Sequence, residues 1–181
     1  MIKEPNGSHA ADIIAECLPN SKIIVLLRDC RDIIDSLLDA RQEGSELATR
    51  FKVRPIRAEE RFEAIQTLSR QTVEFMDILM RAYQTHKENL RLLVKYEDLR
   101  NNTIEETKKI YDFIGIDIAI SELEEIVNKF SFENIPPEQK GKGKFYRFAS
   151  PGKWKENFSI EEKNMMNEIM GDTLKKLGYQ L

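Results

Sequence analysis

"KIIVLLRDCRDIIDSLLDARQ" (residues 22–42) changes character at its seventh residue. Lys22 leads into a continuous β-branched and aliphatic run, Ile23 to Leu27, which stops at Arg28. Such a run fits a strand buried on both faces, as in a parallel sheet. Beyond the arginine the spacing is helical: Ile33, Ile34, Leu37 and Leu38 form one stripe, with Cys30 on the same side. Asp32, Ser36 and Asp39 lie off that stripe. Packing explains the apolar residues. It leaves open why an arginine stands where the strand ends and a serine two turns into the helix.

Working outward, "SHAADIIAECL" (8–18) has helical spacing, with Ser8 or Asn6 as a cap and Pro19 and Asn20 as the stop. "EGSELATRFKVRP" (43–55) is mixed and reads as loop. From Ala58 to about His86 the pattern is helical again, and its length predicts a break or bend. "LRLLVKYEDL" gives a second strand at Leu90 to Val94. "NNTIEETKKIYDFIGI" predicts a helix with a capping box at Thr103 and Glu106 and a stop at Gly115. "SELEEIVNKF" predicts a short helix opened by Ser121 and Glu124. Residues 131–157 read as a long loop, and loops of that length in a compact domain are often functional. A last helix opens on a second capping box, Ser159 to Glu162, and runs to Gly178. The order of elements predicts an α/β fold with a parallel sheet flanked by helices, as one domain over residues 1–181.

Composition narrows the function. The 181 residues are 41% hydrophobic and 33% charged, which suits a globular chain with a real core. A net charge of −3 excludes a chain-wide basic field for nucleic acid but permits a local basic pocket for a small anion. Cys17 and Cys30 have neither metal nor redox spacing, so no metal site is expected and a reduced, cytoplasmic setting is the default. No apolar run is long enough to span a membrane.

In open α/β sheets, ligands sit at the carboxyl ends of the strands. Arg28 follows one strand directly and Tyr96 to Asp98 follow the other. A guanidinium there can grip phosphate or sulfate oxygens with paired hydrogen bonds, and a helix start nearby favours an anion. Read alone, Arg28 is equally a surface residue paired with Asp29 or Asp32, and Ser36 a solvated helix serine. Tyr96 and Trp154 taken singly are packing residues, and Arg147 an ordinary basic loop residue beside Lys140, Lys142 and Lys144. His86 ends a charged helix and reads as solvent-facing.

Three ordered stretches carry a family resemblance. "VLLRDCRDIIDSL" resembles the strand-loop-helix signature of sulfotransferases dependent on 3′-phosphoadenosine 5′-phosphosulfate (PAPS). "LLVKYEDL" resembles their later strand, and "FYRFASPGKWKENFS" their cofactor loop. The resemblance implies that Arg28 and Ser36, eight positions apart, bind the 3′-phosphate of PAPS or of its product, adenosine 3′,5′-bisphosphate. It implies that Tyr96 lies on the adenine side. It also implies that Arg147, with the backbone of Phe148 and Ala149, closes over the phosphate, followed by Gly152, Trp154, Lys155 and Phe158. The family commonly has Lys-Gly where this chain has Phe148 and Ala149, so one positive charge is absent.

"IKEPNGSHA" (2–10) resembles the segment that precedes the arginine strand in the family. The chain is therefore expected to correspond to the C-terminal two-thirds of a P-loop-like fold, without the first strand and the loop that wraps the 5′-phosphosulfate. Impaired folding through an exposed apolar sheet edge is the corresponding expectation. The activity implied is sulfuryl transfer from PAPS to a hydroxyl or amine acceptor of unspecified class. By segment, Lys3 would neutralise developing charge and His9 would take the acceptor proton; His9 beside Ser8 also fits a helix cap or a surface position. The alternative is an inactive nucleotide-binding or interaction module on the same fold. A P-loop kinase relationship is disfavoured because "GKGK" (141–144) follows no strand and is not a Walker A sequence.

Overall fold

A computed structural model of the chain describes residues 10–181. Ser8 and Asn6, and the candidate catalytic residues Lys3 and His9, lie outside the described residues. Two strands, β1 (Ile23–Leu27) and β2 (Arg91–Lys95), pair in parallel. Their register runs from Ile23 opposite Arg91 to Leu27 opposite Lys95. Both strands therefore end level, and the next residues, Arg28 and Tyr96, emerge side by side at one edge. The helices between the strands are α2 (Cys30–Ala40), α3 (Glu46–Phe51) and α4 (Arg61–Thr85), preceded by α1 (Ala11–Cys17). After β2 come α5 (Tyr96–Asn101), α6 (Thr103–Ile114), α7 (Ile120–Lys129), α8 (Trp154–Asn157) and α9 (Ile160–Lys176).

The core lies where β1, α2, α4 and α9 meet. Leu27, Ile34, Ile65, Met166, Met170 and Leu174 are fully buried there. Burying each is worth about 1.5–3 kcal/mol against leaving it in water. α9 begins at the expected capping box: Glu162 N donates to the Ser159 hydroxyl, and Ser159 N donates to the Glu162 carboxylate. α6 ends at Gly115, whose φ of +87° is the left-handed conformation that closes a helix.

Several expectations are corrected. β1 is not buried on both faces: Val25 and Leu27 are buried, while Ile24 and Leu26 are 40% and 54% exposed among the described residues. On that same face Val94 of β2 is buried, with α6 packed against β2, so the exposure is confined to β1 among the described residues. α4 is unbroken over 25 residues, and α9, α1 and α2 all pack along it. The 43–55 stretch contains α3, capped by the Ser45 hydroxyl, which accepts from Ala48 N at 3.1 Å. α6 starts at Thr103 after Asn102 and α7 at Ile120 after Ala119, each without a side-chain cap, so neither Thr103 nor Ser121 provides the expected cap. His86 is buried, its Nε2 lying 2.8 Å from the Ser21 carbonyl oxygen. The 131–157 segment is mostly irregular, as expected, but holds short 3-10 turns and α8. None of the described helices is long and apolar enough to cross a membrane.

Candidate functional site

The strand register builds the first part of the site. Arg28 and Tyr96 follow paired residues, and the Arg28 guanidinium lies over the Tyr96 ring, 4.6 Å from its centre. A cation over an aromatic face at this range is held by the ring quadrupole. Arg28 Nε is buried and has no hydrogen-bond partner among the described residues. Leaving such a donor unpaired costs about 1–3 kcal/mol. The bland alternative, a pairing with Asp29 or Asp32, does not occur: both carboxylates are occupied elsewhere.

Asp29 caps α2 and is bonded three ways to Arg31, through its backbone N, its Nε and its Nη2. Arg31 in turn donates to the Gln180 carbonyl at 2.6 Å and lies 3.9 Å over the Trp154 ring. Glu97, one residue beyond Tyr96, accepts from Asp29 N at 3.0 Å and from the Tyr179 hydroxyl at 3.0 Å. Burial first, and then the Glu97 carboxylate, push the Tyr179 hydroxyl well above the ordinary tyrosine range. These bonds join both strand ends to the C-terminus and fix the ground under Arg28.

The second part is the loop before α8, seated on α2 by a row of carboxylates. Asp32, Asp35 and Asp39 follow an i, i+3, i+7 spacing and so share one face of the helix. Each is almost fully buried. Asp32 accepts from Gly152 N at 2.6 Å and from Trp154 N at 3.3 Å. Asp35 accepts from Arg147 Nη2 at 2.7 Å and from Asn157 Nδ2 at 3.1 Å. Asp39 accepts from Gly143 N at 3.1 Å and stands 3.7 Å from Arg147 Nε. Desolvation raises the Asp32 carboxyl above its ordinary value, against the lowering effect of its two backbone donors and of Arg28. Gly152 takes φ +83°, which favours glycine, and so turns its N–H onto Asp32.

The expected site residues now have places. Arg28 and Tyr96 are in contact at the strand ends. Ser36 is half-buried on α2, about 9 Å along the axis from the start of the helix at 1.5 Å per residue. Arg147 is held against α2 by Asp35 and Asp39. Phe148 is 47% exposed, and the Ala149 carbonyl accepts from Arg100 Nε at 2.9 Å. Trp154 and Phe158 pack into the core. The sequence reading missed Asp35, Glu97 and Asn157. The spacing of Asp32, Asp35 and Asp39 was visible, but its partners lie more than a hundred residues away. Among the described residues no cluster of His, Cys, Asp and Glu could hold a metal.

The sulfotransferase domain family matches residues 13–178. The chain belongs to that family. A flavonol sulfotransferase-like protein of Flaveria bidentis is 26% identical over 98% of this chain and 61% of its own length. The flavonol 4′-sulfotransferase of Flaveria chlorifolia is 24% identical over 90% of this chain and 55% of its own length. The chain thus spans less than two-thirds of these sulfotransferases. Among solved structures, a mouse sulfotransferase complexed with PAP superposes with a TM-score of 0.67 at 16% identity, over 90% of this chain and 61% of that one. A retinol dehydratase in complex with androsterone and PAP gives 0.65 at 18% identity, over 92% and 50%. These similarities establish the shared sulfotransferase fold.

Proposed function

We propose that this chain carries the 3′-phosphoadenosine half of a sulfotransferase site, and that the protein transfers a sulfuryl group from PAPS to a hydroxyl or amine of a small acceptor. The observation that carries the proposal is Arg28. It stands at the carboxyl end of a parallel strand, stacked on Tyr96, with a buried Nε that no described residue satisfies. Buried donors in packed regions are almost always paired, whereas an anion site needs a donor left free. Arg28 and the Ser36 hydroxyl would donate to the 3′-phosphate, Tyr96 would flank the adenine, and Arg147 with the backbone of Phe148 and Ala149 would close the site. PAPS supplies the transferable sulfuryl group; this chain's part is to hold the nucleotide so that the acceptor oxygen or nitrogen lies in line with it. Lys3 and His9 are the candidates for charge neutralisation and proton removal.

That PAP accompanies both the superposed mouse sulfotransferase and the retinol dehydratase supports the choice of nucleotide. The test is transfer of labelled sulfate from PAPS to a panel of phenols, sterols and amines. Labelled product is expected. Binding of adenosine 3′,5′-bisphosphate without transfer to any acceptor would favour an inactive nucleotide-binding module. No binding at millimolar nucleotide would overturn both.

A further inference from the structure

Arg147 is placed where the nucleotide reading wants a phosphate ligand, yet it is already taken. Its side chain is only 10% exposed and lies between Asp35 and Asp39. Nη1 also donates to the Asp35 carbonyl at 3.1 Å. Two carboxylates flank this one guanidinium at a point expected to attract a dianion, with Arg61 and Lys142 as further cations lining the same cleft. The surroundings nevertheless allow movement. A cleft of about 290 Å³ opens beside the pair, with Asp35, Asp39, Lys142, Arg147 and Phe148 in its wall. The loop is also fixed independently of Arg147, at Gly143 N by Asp39, at Gly152 N by Asp32 and at the Ala149 carbonyl by Arg100. The guanidinium can therefore leave Asp35 while the backbone stays docked. Its destination is close in the fold: Ser36 is the next residue after Asp35, one step of about 100° round α2.

We propose that Asp35 and Asp39 are positioning residues that compete with the nucleotide's 3′-phosphate for Arg147, so that binding exchanges a carboxylate clasp for a phosphate clasp. The proposal rests on the nucleotide reading above. The carboxylate clasp is one charge-assisted bond from Nη2 to Asp35 Oδ2, one bond to a backbone carbonyl and a 3.7 Å ion pair with Asp39, so a phosphate that takes paired bonds can compete with it, and Arg147 adds selectivity for the 3′-phosphate more than affinity. Weakening the carboxylate side shifts the balance toward the nucleotide.

The test titrates adenosine 3′,5′-bisphosphate and adenosine 5′-monophosphate into the wild-type chain, Asp35→Asn, and Asp35→Asn combined with Arg147→Leu. Asparagine keeps an oxygen for Asn157 but loses the charge. Asp35→Asn is expected to bind the bisphosphate three- to tenfold more tightly with the monophosphate unchanged, and Arg147→Leu to remove the gain. Equal weakening of both nucleotides, or no change, would make the pair a simple strut and overturn the exchange. A second readout needs no variant at Asp35. The Arg147 Nε resonance of ¹⁵N-labelled wild type should move on saturation with the bisphosphate and stay put with the monophosphate; a fixed resonance under saturation overturns the exchange while leaving the nucleotide reading intact. If neither nucleotide binds, the reading itself has failed.

Discussion

Two arginines expected at the same phosphate are treated in opposite ways by the fold. Arg28, at the end of β1, rests on Tyr96 with its buried Nε unpaired among the described residues. Arg147, in the loop before α8, is enclosed by Asp35 and Asp39. Both are cations near α2, and their sequence surroundings are similarly mixed. The difference lies in which carboxylates are left over. Asp29 is engaged by Arg31 and Asp32 by the backbone of Gly152 and Trp154, so neither hydrogen-bonds Arg28, which acts on Asp32 only through its charge. A residue that the packing scheme has left unsatisfied is a better candidate for ligand binding than one that merely carries the right charge.

The comparison can be broken by removing its supports. Asp32→Ala has the largest expected effect, because it orphans the Gly152 and Trp154 N–H groups and frees the loop. The loss is about 1–3 kcal/mol for each buried N–H left unpaired. Urea unfolding would register it as a lower midpoint, and an unchanged midpoint would show that the loop is not seated by this carboxylate. Tyr96→Ala removes the ring under Arg28 and is expected to weaken nucleotide binding by about 0.5–2 kcal/mol, roughly two- to thirtyfold, whereas Tyr96→Phe keeps the stack and most of the affinity. Equal losses in the two variants would assign the role to the hydroxyl instead. Ser36→Ala removes one hydrogen bond to phosphate, about 0.5–1.5 kcal/mol. The loss should appear for adenosine 3′,5′-bisphosphate and vanish for adenosine 5′-monophosphate.

The smallest effect is in pH. The Asp32 carboxyl is raised above its ordinary value of 3.8, so the folded chain holds that proton more tightly than the unfolded chain does. The resulting stabilisation is fully present below that ordinary value and is lost as pH rises through the raised one. Asp32→Asn should flatten stability across that acid window. A slope unchanged from wild type would place the titration elsewhere.

Much of the scaffold was legible in residues 22–42. The strand, the helix and their apolar stripe fall where the spacing puts them, and the Ser159–Glu162 capping box marks the start of α9. The features that stayed hidden depend on short length or distant partners. α3 is six residues, too short for periodicity to show. His86 looks solvent-facing in a charged segment, but its partner, the Ser21 carbonyl just before β1, lies 65 residues earlier in the sequence. The same holds for the site. Spacing and family resemblance brought Arg28, Ser36, Tyr96 and Arg147 together as candidates. Nothing local in the chain distinguished the arginine left unpaired from the one enclosed by aspartates, because the enclosing contacts span 108 and 112 residues of sequence.

The central claim, that Arg28 is the uncommitted anchor for a nucleotide phosphate, is tested most directly by calorimetric titration of adenosine 3′,5′-bisphosphate into the wild-type chain and Arg28→Ala. The account predicts binding by wild type and none measurable in Arg28→Ala, with the variant's melting temperature equal to or above that of wild type because an unpaired buried donor has gone. Undiminished binding by a folded Arg28→Ala variant would contradict it.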